Sequence, residues 1–222
     1  QMVSPNAATD DAMETDAATA AATTTLGHDL AHDTRLPERL IDNIPSREKL
    51  VLSFLLTYLD DARQPATLFI HGGYVRDLLL GKSPADLDLS LCLRECDASI
   101  SVASLLDGLS DFARSRPALN VSAVHYQTIL SDTAKNKNVD TVKAFLMVGT
   151  PPERLEVDFM PTIGEERYDE VNRVPERDVR GTPEEDALRR DLTVGALLLQ
   201  VSLPRQPTAV DAEVRASHLE WR

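Results

Sequence analysis

Residues 86–91, Asp-Leu-Asp-Leu-Ser-Leu, alternate polar and apolar positions without a break. That period predicts a strand with Asp86, Asp88 and Ser90 on one face. Leu155–Phe159 (LEVDF) repeats the alternation. Thr67–His71 (TLFIH), Val121–Leu130 and Val142–Val148 are short apolar runs that also read as strands. Between them the spacing becomes helical. In the second half of Glu38–Leu59, Leu50, Phe54, Leu55 and Leu59 share one side of a helix that Ser46, after Pro45, can start, and Leu105, Leu109 and Phe112 share one side of Ala98–Ser115. Tyr74–Leu80 reads as a short helix stopped by Gly81. Pro183–Leu199 reads as a last helix, capped by Thr182, with Pro183 at its first position and Glu184, Glu185 and Asp186 at its positive end.

The predicted order is helix, β, α, β, α, β, β, β, α. This is an α+β domain, a mixed sheet flanked by helices. Order begins near Arg35. Residues 1–34 form an Ala/Thr/Asp tract with few large apolar groups, a disordered acidic tail on this reading or a short helix docked on a partner. Residues 35–200 make the domain, and 201–222 follow as a C-terminal extension. The chain starts at Gln1, which fits a fragment or a processed form.

Composition and charge narrow the classes. Of 222 residues, 42% are hydrophobic, and no apolar run approaches the roughly 18 residues of a membrane span, so no membrane association is expected. Cys92 and Cys96 are too few for a disulfide scaffold and, as a lone C-x₃-C, make a poor zinc signal. The chain reads as intracellular, without a signal peptide or an Arg-rich leader. Residues 1–34 carry six acids and no Lys or Arg, which leaves −7 of the net −13 for the rest. Such a balance disfavours a domain that grips polyanionic RNA by itself.

The candidate chemistry lies in four places. Gly72-Gly73, between a strand and a helix, let backbone N–H groups approach phosphate oxygens; alone, the pair is a tight turn. Asp86 and Asp88, at i and i+2 on a strand, are placed to share hard cations such as Mg²⁺; alone, the pair is a solvated strand face. Glu156 and Asp158 lie on one face of LEVDF, and either can supply a third acid. Asp186, Arg189 and Arg190 are spaced to meet on one side of a helix, where the arginines fit a phosphate clamp or ordinary intrahelical ion pairs.

Taken together and in order, these features have a family likeness. GGYVRDLLLGKSPADLDLSL at 72–91 resembles, in residue type and spacing, the signature of tRNA nucleotidyltransferases (the CCA-adding enzymes) and their poly(A) polymerase relatives. GTPEEDALRRDLT at 181–193 resembles their second motif, and RVPE at 173–176 and LEVDF are similar to segments of the eukaryotic enzymes. The resemblance covers about residues 35–200. It implies a polymerase-β-like nucleotidyltransferase head of the eukaryotic type. It implies catalytic Asp86, Asp88 and Asp158, with Mg²⁺ on Asp86 and Asp88. It further implies triphosphate contacts from Gly72, Gly73 and Arg76, support from Asp77, and nucleotide contacts from Arg189, Arg190 and Asp191. The reaction implied is transfer of CMP and AMP from CTP and ATP to the 3′ end of tRNA. By family, a mitochondrial location is compatible.

The chain also departs from the pattern. RRDLTVGA has Gly195 where the family has asparagine, and no arginine follows Asp158 until Arg167. No segment resembles the neck that selects the base, so the grip on RNA is assigned to other domains or to partner proteins. Two readings therefore stand: an active catalytic head, and a degenerate head kept as a structural component of an RNA–protein particle. A nucleotide-binding regulator is a third class without a signal of its own.

Overall fold

The computed structural model describes residues 35–129, 141–164, 166–168, 175–177, 180–204, 216 and 219–222. The 1–34 tail and the first two residues of RVPE, 173–174, lie outside the described residues. From Leu36 on, the described residues form one unit.

Pro37 opens a short helix α1, Glu38–Ile41, and Pro45 opens α2, Ser46–Asp61. The helix start expected at Ser46, after Pro45, holds, and a separate short helix precedes it, because each proline fits only at a helix start. Strand β1, Thr67–His71, leads through Gly72 into helix α3, Gly73–Leu79. Strand β2 is Leu87–Cys92. The helix expected over 98–115 divides, into α4, Val102–Leu106, and α5, Leu109–Ser115. Ser101 and Ser104 close a capping box at the start of α4. Gly108 lies at the break against Tyr58, whose hydroxyl would stand 2.8 Å from a Cβ there and itself donates to the Leu105 carbonyl.

Strands β3, Val121–Ile129, β4, Thr141–Val148, and β5, Glu153–Pro161, then form an antiparallel meander. Short strands β6, Glu166–Tyr168, and β7, Pro175–Arg177, pair with each other. Helix α6, Pro183–Leu188, is followed by β8, Leu198–Ser202, and β9, Glu220–Trp221.

The main sheet has seven strands in the order β3-β4-β5-β2-β1-β8-β9. Only β2 and β5 run parallel, so the sheet is mixed and the α+β expectation holds. One sheet face carries Leu68, Ile70, Leu89, Leu91, Val157, Phe159, Ala144 and Leu146 into a core shared with α2, α4 and α5. Phe54 and Phe112, both buried there, pack with ring centroids 5.5 Å apart. The other face of β2, β5 and β4 carries Asp88, Glu156, Asp158 and Lys143. Among the described residues no helix is long and apolar enough to cross a membrane.

The last expected helix, 183–199, requires correction. α6 keeps its cap, since Thr182 Oγ1 accepts from the Glu185 N–H at 3.1 Å and the Glu185 carboxylate accepts from the Thr182 N–H at 2.7 Å. It ends at Leu188, and Leu198–Ser202 instead pair antiparallel with β1. The edge of β1 offers a row of backbone donors and acceptors, and satisfying them outweighs helix propensity. The boundary drawn at residue 200 falls inside this strand. Beyond it, Gln200 and Arg222 exchange backbone hydrogen bonds at 2.7 and 3.0 Å, and Leu219 and Trp221 are buried. The described parts of 201–222 thus belong to the same sheet and core.

Candidate functional site

β2 and β5 set the site. Their parallel register places Asp88 beside Asp158. Side chains of directly paired residues point to the same face, so these two acids, 70 positions apart, lie on one surface. Asp86 precedes β2 and is exposed, a shift of one position from the expected strand start. It nevertheless lines the same cleft, about 270 Å³, together with Leu87, Asp88, Lys143, Glu156 and Asp158.

Lys143 has no counterpart in the sequence reading. It stands on β4 directly across from Asp158. Its ammonium hydrogen-bonds Glu156 and lies 3.3 Å from Asp158 Oδ1. Both carboxylates hold it protonated above the usual lysine range, Glu156 first. The contact with Asp158 is an ion pair only: Oδ1 is buried and makes no hydrogen bond among the described residues. The signal was present in Val142–Val148, where alternation puts Lys143 on the polar side of a strand. Nothing local tells which carboxylate it faces.

Asp88 is half-buried, and its carboxyl is pushed above the usual range. Burial is the main cause, followed by Asp158 and Asp86, with Lys143 and Arg190 pulling the other way. Among the described residues no group of three or more His, Cys, Asp or Glu side chains is arranged as a ready metal cage.

Asp186 organises the second motif. Fully buried, it accepts from Arg189 Nε at 2.9 Å and Nη2 at 2.6 Å on one oxygen, and from Arg190 Nε at 3.2 Å and Nη2 at 2.7 Å on the other. The Ile163 N–H adds a bond at 3.1 Å. Burial alone would raise its pKa, but the hydrogen bonds from Arg190 and Arg189 outweigh it and hold the carboxyl below the usual range. Arg190 also donates to the Gly195 carbonyl at 3.3 Å. Its charge lowers the pKa of both Asp88 and His71. Asp191 is exposed and makes no described contact with the cleft.

Gly72 and Gly73 do not line the acidic cleft. Gly72 caps α3 at φ 68°, ψ −128°, a conformation that strains any residue with a Cβ. Arg76 is half-exposed and donates to Asp77 at 2.8 Å. Tyr74 donates to Glu48, both buried, which ties α3 to α2. Cys92 and Cys96 are free thiols, and Cys92 donates weakly to the Gly181 carbonyl at 3.6 Å. Arg180 donates to the carbonyls of Leu93, Cys96, Asp97 and Ile100 at 2.7–3.1 Å, fastening the loop after β2 to the segment that enters α6.

His71 is a second residue that sequence reading passed over. It is buried, and neither ring nitrogen makes a hydrogen bond among the described residues. Burial, then Arg190, lowers its pKa to about 4. The unfolded chain takes up this proton near pH 6.5, while the folded chain resists until about pH 4. The stabilising effect is therefore present above pH 6.5 and is lost as pH falls through that window. Urea unfolding at pH 7 and pH 5 is expected to differ by about 2 kcal/mol from this residue alone. His71→Leu should remove that difference; a variant with the wild-type pH dependence would refute the assignment.

Comparison with known proteins gives a consistent picture. No family model matches the chain. It is 34% identical over 139 residues to the mitochondrial CCA tRNA nucleotidyltransferase of Saccharomyces cerevisiae, covering 62% of this chain and 23% of the relative. It is 31% identical over 134 residues to a tRNA nucleotidyltransferase of Schizosaccharomyces pombe, covering 59% and 24%. The chain thus spans about a quarter of the length of these relatives. A solved CCA-adding enzyme in an apo form matches 75% of this chain and 32% of its own at 17% identity, with a TM-score of 0.49. The sequence likeness to these relatives extends over about 60% of this chain.

Proposed function

We propose that this chain is the catalytic head of a template-independent nucleotidyltransferase that adds CMP and AMP, from CTP and ATP, to the 3′ end of tRNA. The observation that carries the reading is the register of β2 on β5, which sets Asp88 beside Asp158 in a cleft also lined by Asp86. The relatives' names supply the reaction. Two relatives are named as mitochondrial, and a mitochondrial place for this chain rests on that similarity.

The donor set fits Mg²⁺. Asp86 and Asp88 offer hard carboxylate oxygens, and Asp88, whose pKa is raised first by burial and then by Asp158 and Asp86, has acidic neighbours whose repulsion a divalent cation would relieve. When bound there, such an ion lowers the pKa of an attacking 3′-hydroxyl and offsets charge on the leaving pyrophosphate. Around it, Arg190 presents a fixed positive charge toward Asp88, held in place by Asp186. Arg189, fastened to the same carboxylate, and half-exposed Arg76 are the residues proposed to meet triphosphate oxygens, with Gly72 and Gly73 giving close backbone approach. Asp77 orients Arg76. Asp191 is proposed as a nucleotide contact on resemblance alone. RNA is expected to be held mainly by residues elsewhere, because phosphate affinity comes from Lys and Arg and this chain has 23 of them against 36 acids.

The second reading, a head kept as a scaffold, draws on one observation: Asp158 is already committed to Lys143. Thermal unfolding with nucleotide and Mg²⁺ separates the two. At about ten times its Kd, CTP or ATP stabilises the native state by about 1.4 kcal/mol, raising the midpoint by roughly 3–5 °C for a domain of this size. Asp88→Asn should abolish the Mg²⁺-dependent part of that rise. An unchanged midpoint at millimolar nucleotide would favour the scaffold.

A further inference from the structure

We infer that Lys143 is a resident cation of the carboxylate face: beside Asp158 it takes the place of a second divalent ion, so that the cleft binds one such ion, through Asp86 and Asp88. The inference rests on the proposed divalent site and goes beyond it in assigning Asp158 to Lys143 and in fixing the stoichiometry.

The geometry is specific. In the sheet Asp158 has Asp88 on one side, across the parallel β2–β5 pairing, and Lys143 on the other, across the antiparallel β4–β5 pairing. Lys143 therefore flanks the third acid on the side away from Asp86 and Asp88. The cleft holds four carboxylates, Asp86, Asp88, Glu156 and Asp158, and one ammonium. That ammonium bridges exposed Glu156 and partly buried Asp158, the Lys143 and Asp158 side chains each being 30% exposed. With Asp158 and Glu156 engaged, Asp86 and Asp88 are left to share a cation, and this division accounts for the lack of a ready three-ligand cage among the described residues. A second divalent ion at Asp158 would have to displace a charge that strand register holds in place and would lie within its repulsion. Even with water-like screening, a unit charge about 6 Å from a divalent ion changes its binding by about tenfold.

Mn²⁺ binding to the 222-residue chain tests this without recourse to activity, with free Mn²⁺ counted by electron paramagnetic resonance. The wild-type chain is expected to bind one Mn²⁺. Asp158→Asn should weaken it by about tenfold through loss of one nearby charge, and Asp86→Asn or Asp88→Asn, which remove a ligand as well as a charge, by clearly more. Lys143→Met should add a second Mn²⁺ or tighten the first by about tenfold, and that gain should vanish in the Lys143→Met/Asp158→Asn double variant. Lys143→Arg, which keeps the charge, should behave as wild type and controls for folding together with circular dichroism. Two equivalents bound to the wild-type chain, a loss with Asp158→Asn as large as with Asp88→Asn, or no change with well-folded Lys143→Met would each overturn the assignment of Lys143. Mn²⁺ binding that is absent, or indifferent to both Asp86→Asn and Asp88→Asn, would instead overturn the divalent site itself, and the inference with it.

Discussion

Replacing Asp186 by alanine is expected to cost about 3–5 kcal/mol of stability, the range for removing one partner from a buried ion pair. The carboxylate is fully buried and receives five hydrogen bonds, four from Arg189 and Arg190 and one from the Ile163 N–H. Its loss strands two guanidiniums whose side chains are only 24% and 18% exposed. It also orphans a buried backbone donor, which alone costs about 1–3 kcal/mol. The thermal midpoint should fall by roughly 10 °C. Asp186→Asn, which keeps an acceptor for Ile163, should lose less. Urea unfolding of the two variants measures the difference, and a loss below about 1 kcal/mol for the alanine variant would show that the arginines find other partners. Nucleotide stabilisation should decline along with fold stability, since the same carboxylate aims both arginines.

Gly181→Ala is expected to be comparably severe, for a steric reason. A Cβ at Gly181 would stand 2.1 Å from the Gly164 nitrogen and 2.2 Å from the Ile163 carbonyl carbon. Both are backbone atoms and cannot swing aside as a flexible side chain can. The two segments are also fastened together: the Gly181 N–H donates to the Thr162 carbonyl at 3.1 Å, and the Thr162 hydroxyl donates to the Gly181 carbonyl at 2.5 Å. Thr162 is itself fully buried. Relieving the clash means parting them, which strains the Ile163–Asp186 bond next door. Overpacking ordinarily costs about 1–3 kcal/mol; with a fixed backbone on both sides the loss should reach about 3 kcal/mol or more. Gly195→Ala, where a Cβ meets nothing within 4 Å, is the matched control and should be nearly silent. If both variants unfold at the same urea concentration as wild type, the close approach at Gly181 is not what holds the second motif against Thr162 and Ile163.

Much of the architecture follows from local pattern. The alternation in DLDLSL and LEVDF marks β2 and β5 to within two residues, because a strand with one wetted face has no other way to distribute its side chains. The glycine pair marks the β1–α3 turn, where Gly72 takes a backbone conformation closed to other residues. Thr182, Pro183 and Glu185 mark the start of α6, since capping is a contest among neighbours in sequence. Where two local signals competed, sequence reading failed. The apolar run at 197–199 suits a helix or a strand, and pairing with the open edge of β1 decided for the strand.

The site divides in the same way. Sequence by itself determined which residue types were at hand: two acids at i and i+2, two more on another strand, and an acid followed by two arginines at helical spacing. Tertiary structure decided which of them meet. The parallel β2–β5 register put Asp88 beside Asp158, the antiparallel β4–β5 register put Lys143 across from the same acid, and burial made Asp186 the anchor of Arg189 and Arg190. None of these pairings has a local signature, because strand register is fixed by how whole faces bury and by which edges find partners, and both are properties of the assembled sheet.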